Sequence, residues 1–311
     1  MKKTAGIHHI SAIVGHPQEN VDFYTAVLGL RLVKKTVNFD DPGTYHLYFG
    51  DETGKPGTII TFFPWARGRQ GKIGDGQVGV TSYAVPIGAM PFWEKRLTKF
   101  NIDFTKDERF GETYISFADP HGLQLEIVER KAGEQNSWTF GEVTPNVAIK
   151  GFGGATLLSA EPVKTVQLLE EGMGLRKVGE EGDIIRLAAY SDIGNIIDIK
   201  TTSIGRGTMG VGTVHHIAWR AEDDADQSDW QQYLQKHGYG VTPVKDRNYF
   251  HSVYFREHGE ILFEIATDSP GFAIDESTES LGENLKLPPQ YEVHRQKLEN
   301  SLIPIEVREF D

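Results

Sequence analysis

One step recurs in this chain and limits its fold more than any other feature: a helix that ends at glycine and runs directly into a strand. It reads Val27-Leu28-Gly29-Leu30-Arg31-Leu32-Val33 near the start and Gly172-Met173-Gly174-Leu175-Arg176-Lys177-Val178 in the second half. Around the first copy, Gly6 to Ile13 reads as a strand. Pro17 to Val27 reads as a helix with Val21, Phe23, Tyr24 and Val27 inward, and strands follow near Tyr45 to Gly50 and Thr58 to Phe63. The unit is βαβββ. Further units begin at Val78, Gly151 and Gly212, with helices predicted over Met90 to Phe100 and Ser228 to Lys236. One such unit exposes an apolar sheet face, so units must pair.

The expected fold class is therefore α+β: four βαβββ modules paired into two tandem domains. Units one and three are most alike, as are two and four. That pattern predicts one domain over residues 1–140 and another over 141–280, joined by the polar stretch Lys131 to Pro145. Residues 281–311 lie outside the modules. There Leu287-Pro288-Pro289 should be extended, and Glu292 to Leu302 should form a helix that covers an open sheet edge or helps build a homo-oligomer.

Composition narrows the function. A chain of 311 residues with formal net charge -12 does not suit nucleic acid, which selects a basic face. No apolar run long enough for a signal or a membrane span follows Met1, so a cytoplasmic protein with no membrane partner is expected. With no cysteine there are neither disulfides nor thiolate ligands.

The chemistry concentrates in two histidine pairs. Ile7-His8-His9-Ile10 and Val214-His215-His216-Ile217 hold the same place in the first strands of units one and four, and Glu264 sits in the apolar run Ile261-Leu262-Phe263-Glu264-Ile265-Ala266. A carboxylate inside an apolar strand is costly unless it is paired or bound to metal. Two histidines and a carboxylate suit a non-haem divalent iron site with open positions. Neighbouring strand residues face opposite ways, so one histidine of each pair should face the cleft: His9 and His216, or else His8 and His215. The other units act as internal controls. Gly153-Gly154 align with His8-His9, and Thr81-Ser82 are expected to align with His215-His216. Glu126 matches Glu264 and Asp198 matches Thr61. A cleft from units two and three would hold carboxylates without imidazoles, so the fold itself does not demand the histidines.

Ile7-His8-His9-Ile10, Tyr45-His46-Leu47-Tyr48-Phe49, Gly54-Lys55-Pro56-Gly57-Thr58, Asp246-Arg247, Tyr249-Phe250 and Leu287-Pro288-Pro289-Gln290 resemble stretches of the vicinal oxygen chelate superfamily of glyoxalases and extradiol dioxygenases. The match is closer to its hydroquinone-cleaving, quinone-detoxifying dioxygenase branch. Catechol-cleaving members take all three ligands from the second domain, the first from its opening strand; here that strand carries Gly153-Gly154. The resemblance selects His9, His216 and Glu264 as metal ligands. It implies Fe²⁺, with Mn²⁺ as the alternative, and ring cleavage of a small aromatic diol by O₂. It assigns His215, Tyr254 and Arg247 to the substrate cavity, with His8, Ser11 and His251 as lesser candidates. His46 reads as an outward-facing or packed strand residue, His121 as a turn residue, and the acidic run Glu222 to Asp226 as a helix cap. The competing readings are a glyoxalase-like isomerase or lyase on the same ligands, and a non-catalytic binder of aromatic compounds.

Overall fold

The computed structural model describes residues 2–310. Module one comprises β1 (Ile7–Val14), α1 (Pro17–Asp22), β2 (Arg31–Val37), β3 (Tyr45–Gly50) and β4 (Ile59–Pro64). Module two comprises β5 (Gln77–Val85), α2 (Met90–Lys99), β6 (Phe104–Arg109), β7 (Glu112–Ala118) and β8 (Gln124–Glu129). Module three comprises β9 (Gly151–Leu158), α3 (Pro162–Gln167), β10 (Arg176–Glu181), β11 (Ile184–Ala188) and β12 (Ile196–Lys200). Module four comprises β13 (Thr213–Ala221), α4 (Asp224–Lys236), the two-residue β14 (Lys245–Asp246), β15 (Phe250–Arg256) and β16 (Leu262–Pro270). The fold is α+β, as the repeat requires. Among the described residues no helix is long and apolar enough to cross a membrane.

Hydrogen bonding joins the modules out of sequence order. One eight-stranded sheet runs β14-β15-β16-β13-β1-β4-β3-β2 and the other β10-β11-β12-β9-β5-β8-β7-β6. Modules one and four thus share a sheet, and so do two and three. The seams are the antiparallel pairs β1 with β13 and β5 with β9. Each sheet draws on both halves of the chain, which brings residues from its two ends side by side.

Local chemistry fixes the helices. Pro17 opens α1, where the missing N–H costs nothing, and the His16 ring accepts the Gln18 N–H. Asp223 accepts the Asp226 N–H and starts α4 at Asp224, earlier than the expected Ser228. Both α1 and α3 widen into a π-turn, at Phe23–Val27 and Leu168–Gly172. Each then ends at a glycine with positive φ, Gly29 at 70° and Gly174 at 77°, which explains why the recurring step needs glycine.

Strand alternation sorts the side chains. Ile10, Ile217, Phe263 and Ile265 join Val21, Phe23, Trp230 and Leu234 from the helices in one apolar core. Their strand neighbours His9, His216 and Glu264 face the other way. The sheet curls there, and Tyr48, Tyr249, Phe250 and Phe272 form a second, smaller cluster.

Simple alternation fails at both histidine pairs, for a specific reason. Along the β1–β13 seam Ile7 pairs with Trp219 and His9 with Ala218; Ser11 pairs with His216 and Ala12 with Val214. His8 and His215 are therefore the extra residues of two β-bulges. A bulge sets two residues against one and interrupts the alternation. The Nδ1 atoms are accordingly 2.9 Å apart in His8 and His9, and 2.7 Å apart in His215 and His216. The expectation that only one histidine of each pair could turn toward the cleft holds for the first pair, where His9 lines the cavity and His8 does not, and is corrected for the second, where His215 and His216 both line it. The other seam has matching bulges at Gly79 and Gly153. Ser82 pairs with Glu126 as Ala218 pairs with Glu264. The counterparts of His215-His216 are thus Gly79-Val80, not Thr81-Ser82.

The tail differs from the single helix expected over Glu292 to Leu302. Two short helices form, α5 (Pro289–Glu292) and α6 (Arg295–Ser301), separated where His294 leaves helical geometry. Before them, the fully buried Lys34 on β2 binds Asp275 at 2.5 Å and Glu276 at 2.6 Å, which ties the stretch leading into the tail to the sheet.

Candidate metal centre and substrate cavity

Three side chains from three adjacent strands converge: His9 on β1, His216 on β13 and Glu264 on β16. His9 Nε2 and His216 Nε2 are 3.3 Å apart, and Glu264 Oε2 lies 2.8 Å from the latter and 3.4 Å from the former. These edges suit three ligands each ~2.1 Å from one ion. Glu264 is fully buried, and its Oε2 has no contact of hydrogen-bond geometry. A buried carboxylate oxygen approached only by two imidazole nitrogens costs several kcal/mol to desolvate unless positive charge, on a ring or on a cation, meets it, by an order-of-magnitude estimate. The donor set fits a divalent ion, and the cluster is capable of holding one. Burial alone pushes the Glu264 carboxyl up, but His9 and His216 outweigh it and hold it well below the usual range.

The neighbours of the three ligands explain their aim. Ser252, on β15 beside β16, donates to Glu264 Oε1 and leaves Oε2 to the centre. The ring of His8 covers Nδ1 of His9, and that of His215 covers Nδ1 of His216. With Nε2 given to a metal, His9 and His216 would each donate the Nδ1–H to the preceding histidine, which would then accept through Nδ1. Burial is the main reason both supporting histidines stay neutral: the His215 pKa falls to about 3, and that of His8 lies well below the ordinary histidine value.

A cavity of about 210 Å³ opens onto the cluster, lined by His9, His216, His215, Tyr254, Arg247 and His46 among others. His215, Tyr254 and Arg247 are thus brought together as expected. His8 is not among the lining residues; it lies buried behind His9 and beside Phe250, with ring centroids 5.2 Å apart. Arg247 donates Nε to the Tyr254 hydroxyl at 3.3 Å and Nη2 to Asp40 at 3.3 Å, not to its neighbour Asp246. Burial opposes the charge on Arg247, but Tyr254 and Asp40 raise its pKa on balance. Burial and Glu264 push the Tyr254 hydroxyl pKa up, so it stays protonated. Ser11 bonds Thr61 at 2.7 Å, and His251 turns away to Asp224 at 2.6 Å.

Sequence reasoning missed three residues here. His46, read as outward-facing or packed, lines the cavity. Its ring accepts or donates to Thr61 at 2.9 Å and Tyr48 at 2.8 Å, between the rings of Tyr48 and Phe63. Ser252 shares a strand face with Tyr254, a two-residue spacing visible in the sequence. Asp40 lies in a loop and gave no signal. His121, read as an ordinary turn residue, is buried with its Nε2 3.3 Å from Glu19.

The other sheet shows what the same positions do without imidazoles. Glu126 stands where Glu264 does, but Arg109 bridges it at 2.9 Å to Asp198 at 2.8 Å, and Arg186 binds Asp198 at 2.7 Å. The guanidinium groups fill that cleft and leave about 20 Å³.

Paired βαβββ modules around a two-histidine, one-carboxylate centre define a vicinal oxygen chelate architecture. The chain belongs to the glyoxalase/bleomycin resistance protein/dioxygenase superfamily, whose sequence profile matches residues 6–127 and 150–265. Over 310 residues, 100% of this chain and 99% of the relative, it is 74% identical to the "Putative ring-cleaving dioxygenase MhqO" of Bacillus subtilis (strain 168). It is 35% identical over 301 residues, 94% of each chain, to the chlorohydroquinone/hydroquinone 1,2-dioxygenase of Sphingobium indicum. The crystal structure of a "putative dioxygenase" from Bacillus subtilis subsp. subtilis str. 168 superposes with a TM-score of 0.99 at 74% identity, covering 100% of both chains. Within the superfamily this chain groups with the MhqO-like ring-cleaving dioxygenases.

Proposed function

We propose that the protein is an Fe²⁺-dependent dioxygenase that cleaves the ring of hydroquinone-like aromatic diols with O₂. The observation that carries this reading is the buried His9–His216–Glu264 set opening into a cavity sized for one ring. Cavities of about 150 Å³ admit a benzene ring, so about 210 Å³ suits a single ring with small substituents. The activity named for the Sphingobium indicum relative supports the choice of hydroquinones.

His9, His216 and Glu264 would hold the ion, which supplies a Lewis acid and an electron path between the ring and O₂. The remaining work falls to the chain. Phe63 and Phe250 give the cavity apolar walls that hold the ring and exclude water. Neutral His215, with Nδ1 engaged by His216, offers its Nε2–H to a developing oxygen charge. Tyr254, protonated and steadied by Arg247, donates a second hydrogen bond from the same cavity wall region beside His216. A hydroquinone reaching the centre through one oxygen directs the other across the ring, where a hydrogen-bonding group selects strongly for it. His8 orients His9 without touching substrate.

The test is anaerobic loading with Fe²⁺, then an oxygen electrode with hydroquinone, methylhydroquinone and catechol. Oxygen uptake should be fastest with the para-diols. Faster catechol cleavage would reject the substrate assignment. Absence of uptake with every diphenol, together with turnover of a hemithioacetal without oxygen, would replace the reading with an isomerase.

A further inference from the structure

The β2–β3 loop forms part of the cavity wall through Asn38, Phe39 and Asp40. It is locally ordered: Asn38 N–H reaches Thr44 C=O at 2.8 Å, and Asn38 Oδ1 accepts the Asp40 N–H at 2.9 Å. Two longer-range contacts orient it. Inward, Asp40 accepts from Arg247, which holds the Tyr254 hydroxyl. Outward, the Phe39 carbonyl accepts the Tyr291 hydroxyl at 2.8 Å, from α5 in the tail. The tail runs alongside β2, where the Lys286 N–H donates to the Lys35 carbonyl at 2.9 Å. It is anchored by the buried Leu287, Leu298 and Leu302.

These contacts form one path from the tail to the cavity: Tyr291, the loop, Asp40, Arg247, Tyr254. We propose that Asp40 is a positioning residue that aims Arg247 at the far end of a bound aromatic diol, and that Tyr291 in the C-terminal extension fixes the loop carrying it. The inference rests on the hydroquinone reading for its ligand. With Nε given to Tyr254 and Nη2 to Asp40, Arg247 Nη1 has no side-chain partner among the described residues and is left for a ligand oxygen. The Asp40 side chain is 67% exposed, so its bond to Arg247 adds little to fold stability. A contact of that kind matters mainly where it directs the other group.

The experiment is anaerobic calorimetric titration of the metal-loaded protein with hydroquinone and, separately, with phenol, which lacks the second hydroxyl. Asp40→Ala and Tyr291→Phe should each weaken hydroquinone binding about threefold to fivefold, the range a half-exposed charge contact of up to ~1 kcal/mol spans. Phenol affinity, metal content and melting temperature should stay unchanged. Asp40→Glu, which keeps the charge, should restore most of the difference. Equal losses for phenol and hydroquinone, or unchanged hydroquinone affinity in both variants, would overturn the proposal. Failure of the wild-type protein to bind either compound would instead reject the diol reading on which it rests.

Discussion

Ser252 gives the sharpest test of how the centre is built. Its hydroxyl donates to Glu264 Oε1, and both groups are fully buried. Ser252→Ala removes that donor and no ligand. Two effects follow. The carboxylate is free to rotate, and loss of a partner that orients a metal ligand typically weakens metal binding 10- to 100-fold, about 1.4–2.7 kcal/mol. Separately, Oε1 becomes a buried acceptor without a donor, which costs the metal-free fold about 1–3 kcal/mol. Ser11→Ala is the control. Ser11 is equally buried on the same sheet and bonds Thr61 at 2.7 Å, with no contact to Glu264. It should lose stability but keep its metal affinity. The assay is chelator competition for Fe²⁺ under anaerobic conditions, paired with melting curves of the metal-free and loaded proteins. A dissociation constant for Ser252→Ala within twofold of wild type would refute the view that this hydroxyl aims the carboxylate.

Two further outcomes are expected. Arg109 fills the second cleft between Glu126 and Asp198, so elemental analysis of the loaded protein should give one ion per chain; two would show that the filled cleft opens. Burial raises the pKa of Asp119 above its ordinary 3.8, so the stability it contributes is complete below that value and is lost as pH climbs through the higher folded value. Asp119→Asn does not titrate there, and its amide oxygen can still accept the His121 and Leu123 N–H groups that Asp119 Oδ1 binds at 2.8 Å and 2.9 Å. The melting temperature of the variant should therefore gain on wild type as pH rises from below 3.8 and then level off; a difference constant with pH would exclude the effect.

The sequence made the modules legible because helix ends and strand alternation are local. Gly29 and Gly174 mark the same turn, and Glu264 is conspicuous between Phe263 and Ile265. The candidate triad was reachable only in part from the strands: period two left His9 and His216 or His8 and His215 open, and the family resemblance chose between them. Bulges lay beyond that logic. Whether His8 is paired or extra depends on Trp219 and Ala218 across the seam, residues far off in the chain. The alignment of Thr81-Ser82 with His215-His216 failed for the same reason. Loop and tail contacts such as Asp40–Arg247 and Tyr291–Phe39 have no period, so nothing local announces them. His46 shows a different limit: its spacing from Tyr48 placed it correctly on a strand, but which wall that strand forms depends on the curl of the sheet.

The bulged seam also explains why the two modules can be alike in backbone and unlike in chemistry. His9 and His216 are counterparts across it. Two residues on, Ser11 pairs with Thr61 on the last strand of module one, and Ala218 with Glu264 on the last strand of module four. Thr61 is therefore the counterpart of Glu264. A carboxylate there would bring a fourth protein ligand toward the same ion and close one side of it. Threonine supplies no such ligand, and its hydroxyl is already shared between Ser11 and His46. The supporting histidines break the symmetry in the same direction: His8 lies buried behind His9, whereas His215 lines the cavity. A three-ligand centre with open positions is what substrate and O₂ together require. On the proposed reading, threonine where its counterpart is a carboxylate leaves one more position on the ion for the ring oxygen, O₂ or water.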